Sequence, residues 1–135
     1  MDITLLRPAV DAAGMVRRGE VSSRELTEML LARIDAVNPE LNAVVEVRRE
    51  AALRQAAAAD EAIARGDDVG PLHGVPMTIK DSFNVAGLHT TWGNPASRDF
   101  VPDWDATVSG FGTWGPVHRV NTLTNLLRQL TEREQ

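Results

Sequence analysis

The 135-residue sequence contains no cysteine, which excludes disulfides, a thiolate nucleophile and Cys-ligated zinc. Its three histidines, at positions 73, 89 and 118, show no helical or hairpin ligand spacing, so no metal centre is expected. Aromatic residues make up only 4% of a chain that is 43% hydrophobic, and much of that apolar content is alanine, so a core built from it will be thin. No uninterrupted apolar run approaches the roughly 18 residues of a transmembrane span. Met1-Asp2-Ile3-Thr4 lacks a basic segment leading into an apolar one, and the expectation is a soluble cytoplasmic protein. Basic excess is missing too: 14 Lys plus Arg stand against 19 Asp plus Glu, a net charge of −5. That balance, with no long Lys/Arg run, argues against a surface that follows nucleic-acid phosphate or anionic lipid, so neither nucleic acid nor membrane is an expected partner. The length suits one domain.

Helical sequence dominates the first half. Residues from Pro8 to Arg18 read as a short helix with proline in its first turn and Gly19 just beyond its end. Ser22-Ser23-Arg24-Glu25 is a capping box, in which the Ser22 hydroxyl accepts from the third helical N–H while Glu25 reaches back. From there Leu26, Met29, Leu30, Ile34 and Val37 recur at spacings of three and four, one apolar stripe on a helix running to about Val37. Asn38-Pro39 should end it, because proline has no N–H and pushes its predecessor out of helical geometry. Leu41 to Val47 is β-branched and mostly apolar, as a largely buried strand would be. Arg48 to Arg65 then forms a long helix rich in alanine, with Gly66 as its C-cap.

Gly70-Pro71-Leu72-His73-Gly74 is a turn-rich approach to Val75-Pro76-Met77-Thr78-Ile79-Lys80, an extended run ending on lysine. The order α-α-β-α-β predicts an α/β arrangement with helices covering a sheet. Beyond Ser82 the turn residues Asn84, Gly87, Gly93, Asn94, Pro95 and Pro102 predict surface loops. Asp60-Glu61 and Asp67-Asp68 read as solvated charge; Asp81 could orient Lys80 or cap the turn that follows it, and the turn role is favoured. A Ser82–Lys80 dyad is weighed and set aside, since residues two apart on an extended chain share a face without having to touch.

The run Gly70 to Asp81, with Val85-Ala86-Gly87 and Thr90-Thr91-Trp92-Gly93 after it, closely resembles the start of the amidase signature family, serine hydrolases of carbon–nitrogen amide bonds. Ser22 to Leu26 and Asn38-Pro39-Glu40-Leu41-Asn42-Ala43 resemble it as well, and the likeness covers about residues 15 to 108. The resemblance implies an N-terminal fragment of that family's mixed sheet covered by helices. Residues 1–108 would be the N-terminal part of the domain and 109–135 a divergent tail, a glycine-rich turn followed by a short amphipathic helix. It implies a catalytic role for Lys80, the lysine at the end of the Gly-Val-Pro strand. Desolvation in an enclosed apolar site would disfavour its ammonium form and let it take a proton at neutral pH. In the family that lysine acts through a serine in a cis peptide on a second, nucleophilic serine, a Ser-Ser-Lys triad whose oxyanion is held by backbone N–H groups. The substrate implied is a small-molecule amide, with no metal or cofactor.

From Lys80 onward the serines are Ser82, Ser97 and Ser109, and none lies in a glycine-serine cluster like the family's nucleophile loop. Ser109-Gly110-Phe111-Gly112 breaks the helix that Trp104 to Val108 would open. The expectation is therefore an amidase-type chain that is truncated and not catalytic alone, as a frameshift or shortened gene would leave it. Gly110 to Gly115 fits G-x-G-x-x-G, but Pro116 follows directly and no second strand comes after, so the match reads as coincidence. The alternative is a non-catalytic module that docks a partner protein, or itself, through Val120, Leu123, Leu127 and Leu130.

Overall fold

The computed structural model describes residues 8–105. Helix α1 spans Ala9–Arg17, α2 Ser23–Leu41 and α3 Arg49–Arg65, and a single turn of 3-10 helix covers Pro95–Ser97. None of the described helices is long and apolar enough to cross a membrane. The glycine-rich turn and the 120–130 helix expected for the tail lie outside the described residues.

Both short connections after α1 and α3 are set by glycine. Gly19 (φ 71°) lets Glu20 N–H reach the Met15 carbonyl while its own N–H bonds Val16. Gly66 (φ 75°) does the same for α3, with Asp67 N–H on Ala62 and its own on Ile63. Each pair of bonds satisfies carbonyls that the helix end would otherwise leave bare.

Helix α2 departs from the sequence expectation at its end. It continues through Pro39 to Leu41 and closes on Asn42 in the left-handed region (φ 46°), whose N–H bonds the Asn38 carbonyl at 2.7 Å. Proline in the last turn forfeits only one intrahelical bond. The Asn38 side chain then holds the exit: Oδ1 accepts from Ala43 N and Val44 N at 2.9 and 2.8 Å, and Nδ2 donates to the Val44 carbonyl at 2.9 Å. One amide thus turns the chain and fixes the first residues of the next segment.

That segment is the second departure. Residues 43–47 and 75–80 belong to no helix, but no strand is formed among the described residues, so the expected sheet is not present there. Extended backbone becomes a strand only when a neighbour supplies the complementary ladder. Here Ala43 and Val44 are bonded to a side chain instead.

Two small apolar clusters hold the helices together. Ala12, Ala13 and Val16 of α1 meet Leu26 and Val75, with Val21, Ile63 and Leu72 against them. Leu31 and Ile34 of α2 meet Val44, with Val47 and Leu53 against them. The buried stripe of α2 is Ser23, Leu26, Thr27, Leu31 and Ile34, rotated from the expected one: Met29, Leu30 and Val37 are only half-buried. Two hydroxyls can lie on the buried face because both are satisfied, Ser23 Oγ on the Gly74 carbonyl and Thr27 Oγ1 on the Ser23 carbonyl. Helix α3 packs on α2, and its buried residues Ala52, Ala56 and Ala59 are small enough for close approach. The thin core leaves large apolar groups in solvent, among them Val45 (64% exposed), Trp92 (72%) and Trp104 (54%).

Candidate functional site: the Gly74–Lys80 run and its Asp81 clamp

The lysine run is anchored at its glycine end. Gly74 has φ 76°, a conformation costly for any residue with a Cβ. A Cβ there would also stand 3.0 Å from Val16 Cγ1 and 3.2 Å from Ser23 Cβ. Its carbonyl takes the hydroxyl of Ser23, which is fully buried, at 2.7 Å. Gly74 is therefore the point where the run is pinned between α1 and the first turn of α2.

That first turn is itself fixed from α3. Asp60 Oδ1 accepts from Ser23 N at 2.7 Å and Oδ2 from Arg24 N at 3.1 Å. Ser22 Oγ takes Glu25 N at 3.0 Å, and the Glu25 carboxylate returns to Ser22 N at 2.8 Å, so the capping box forms as expected. These bonds, made by the Ser22 backbone and side chain, hold the Glu25 carboxyl below its ordinary range. The first three N–H groups of α2 are all satisfied, two of them by a residue 36 or 37 positions away. Asp60 is thus not simply solvated charge. No periodic signal exposes it, because its partners are backbone amides of another helix.

At the far end of the run lies Lys80, the only lysine in the sequence. It is solvent-exposed, and its carbonyl accepts from Phe83 N at 3.0 Å to close a turn. The enclosed apolar setting expected for it is not formed by the described residues. Among those residues Ser82 makes no bond to Lys80, and no cluster of His, Asp and Glu is arranged to hold a metal ion. Lys80 lines a hollow with Val45, Glu46, Ile79, Asp81, Phe83 and His89 along its wall. His89 donates its N–H to Glu46 Oε2 at 3.1 Å across that wall.

The next residue carries the densest polar contacts of the region. Asp81 Oδ2 accepts from the Thr91 hydroxyl at 2.6 Å, Oδ1 from Thr91 N at 2.9 Å, and Oδ2 from Gly93 N at 3.4 Å. Burial by itself would raise the Asp81 carboxyl. The Thr91 hydroxyl and the N–H groups of Thr91, Gly93 and Trp92 outweigh it and hold the group below the usual aspartate value. Trp92 (φ 56°) and Gly93 (φ 69°) are both left-handed, which turns these donors onto the carboxylate. Asp81 therefore does not cap the turn after it. It joins the lysine run to Thr91-Trp92-Gly93, so that two motifs read separately in the sequence form one hydrogen-bonded unit.

The loop leading into Thr91 is tied to the start of α3 and to the segment that follows Gly93. Arg48 Nη1 donates to the Gly87 carbonyl at 3.1 Å, Gly87 N to Pro102 O at 2.9 Å, and buried Thr90 N to Phe100 O at 3.0 Å. Ala86 N reaches Asp105 Oδ1 at 2.9 Å.

Comparison with known proteins places this arrangement. The sequence model of the amidase family matches residues 25–111. The chain belongs to the amidase family. It is 44% identical over 101 residues to one component of the glutamyl-tRNA(Gln) amidotransferase of Streptomyces avermitilis, covering 75% of this chain and 20% of that protein. To the indoleacetamide hydrolase of Bradyrhizobium diazoefficiens it is 45% identical over 100 residues, 74% of this chain and 19% of that one. The native peptide amidase of Stenotrophomonas maltophilia superposes with a TM-score of 0.65 at 39% identity, over 73% of this chain and 20% of its own. A bacterial aryl acylamidase of the amidase signature enzymes gives 0.68 at 27% identity, over 85% of this chain and 24% of its own. This amidase chain therefore spans about a fifth of the length of the curated relatives it matches.

Proposed function

We propose that these residues carry the lysine arm of an amide carbon–nitrogen hydrolase site, with Lys80 as its proton-handling group. The observation that supports this most is the position of the sole lysine: it ends the Gly74–Lys80 run, next to the Asp81 clamp, inside the stretch matched by the amidase family. By resemblance its partners are two serines of a Gly-Ser-rich segment, which the 135 residues do not contain. Residues 1–108 form the N-terminal part of the amidase domain and 109–135 a divergent tail. Segments 43–47 and 75–80 would pair with strands of the remaining domain, which would also cover Val45 and enclose Lys80.

The substrate class is a small-molecule amide, cleaved to a carboxylate and an amine or ammonia without metal or cofactor. Relatives named as one component of an amidotransferase make a protein partner a companion proposal. The 135 residues alone are not catalytic. Assay of the purified chain on simple amides tests this: no turnover above that of Lys80→Ala is expected, and turnover that Lys80→Ala abolishes would contradict it.

A further inference from the structure

Lys80 stands in solvent at the end of its run. Yet a proton-handling side chain works only when its chain end is held to within a fraction of an ångström. The bonds nearest to Lys80 along the chain are its own carbonyl to Phe83 N and the contacts of the adjoining carboxylate. We propose that Asp81 is a positioning residue for Lys80, fixing the end of the lysine run by binding the Thr91 hydroxyl and the Thr91 and Gly93 N–H groups. This rests on the reading of Lys80 given above.

Three features favour this role over an ordinary turn cap. The donors lie ten and twelve residues away, so the carboxylate spans two separate segments and not one turn. The receiving loop adopts two successive left-handed residues, one of them a tryptophan, which costs energy and persists only where surrounding bonds hold it. That loop is in turn fastened to the start of α3 through Arg48 on Gly87, and its buried Thr90 is bonded to Phe100 of the segment that follows. The restraint therefore passes from the start of α3 through Thr91 and Asp81 to Lys80.

The test is backbone 15N relaxation of the 135-residue chain, with amine labelling of its single lysine as a second readout. Neither measurement depends on amide hydrolysis, so failure of the hydrolase reading leaves the result interpretable. In the wild type the Lys80 order parameter is expected near the rigid value of about 0.85, falling toward about 0.6 or below in Asp81→Ala. Thr91→Val changes no charge and is expected to lower it as well, and Thr91→Ser, which restores the hydroxyl donor, to recover it. Order parameters within α2 and α3 should stay at wild-type values, as a general loss of structure would not allow. The labelling rate of Lys80 should shift in Asp81→Ala and Thr91→Val and return in Thr91→Ser. Lys80 order and labelling unchanged in both disruptive variants, while the Thr91 and Gly93 amides exchange faster, would overturn the proposal.

Discussion

The Thr91 hydroxyl donates to Asp81 Oδ2 at 2.6 Å, across ten residues of sequence. The Asp81 carboxyl is lower in the folded chain than its ordinary value of 3.8. A carboxyl depressed on folding contributes stability that is fully present above the unfolded value and is lost as pH falls through the folded one. The Thr91–Gly93 turn should therefore hold unchanged across neutral pH and loosen only below about pH 4. Asp81→Asn should remove that acid dependence. Amide exchange of Thr91 and Gly93 followed against pH, corrected for intrinsic rates, checks both statements.

Asp60 makes a distinct prediction because it caps a helix other than its own. Asp60→Ala leaves the N–H groups of Ser23 and Arg24 without their acceptor. The expected loss is about 1–2 kcal/mol, in the range of cap removal. Asp60→Asn keeps one acceptor oxygen and should lose less. Urea unfolding followed by helical circular dichroism reads the difference, and equal stability of Asp60→Ala and wild type would show that the cap contributes nothing.

Gly74 and Gly93 separate strain from crowding. Both are left-handed, but an added Cβ meets Val16 and Ser23 at Gly74 and nothing within 4 Å at Gly93. Gly93→Ala should cost about 1–2 kcal/mol for the conformation alone. Gly74→Ala adds overpacking, typically about 1–3 kcal/mol more, and should be the more destabilising of the two. A pair of denaturation curves in which the two variants coincide would contradict the packing at Gly74.

What the sequence disclosed was chiefly local. Ser22 with Glu25 and Gly66 after an alanine-rich run are each written within a few adjacent residues, and each is found in place. Pro39 misled because its penalty falls on a last turn, where the Asn38 side chain supplies the exit bonds. The strands at 41–47 and 75–80 had the right composition, but pairing depends on a neighbouring backbone that no local pattern specifies. Asp60 and Asp81 looked like ordinary surface and turn carboxylates, since their partners stand far along the chain. The amidase likeness of the lysine run was readable because several motifs fall in order at fixed distances. The bond that links two of those motifs was not.

The proposal that Lys80 is the proton-handling lysine of an amide-hydrolase site is open to a direct test. Residues 25–105 are exchanged for the matching stretch of the Bradyrhizobium indoleacetamide hydrolase, and hydrolysis of indoleacetamide is measured. The chimera is expected to turn over its substrate, and Lys80→Ala within it to lower kcat by at least about a hundredfold, the scale of lost acid–base catalysis. A folded chimera in which Lys80→Ala hydrolyses the amide as fast as its parent would contradict the assignment.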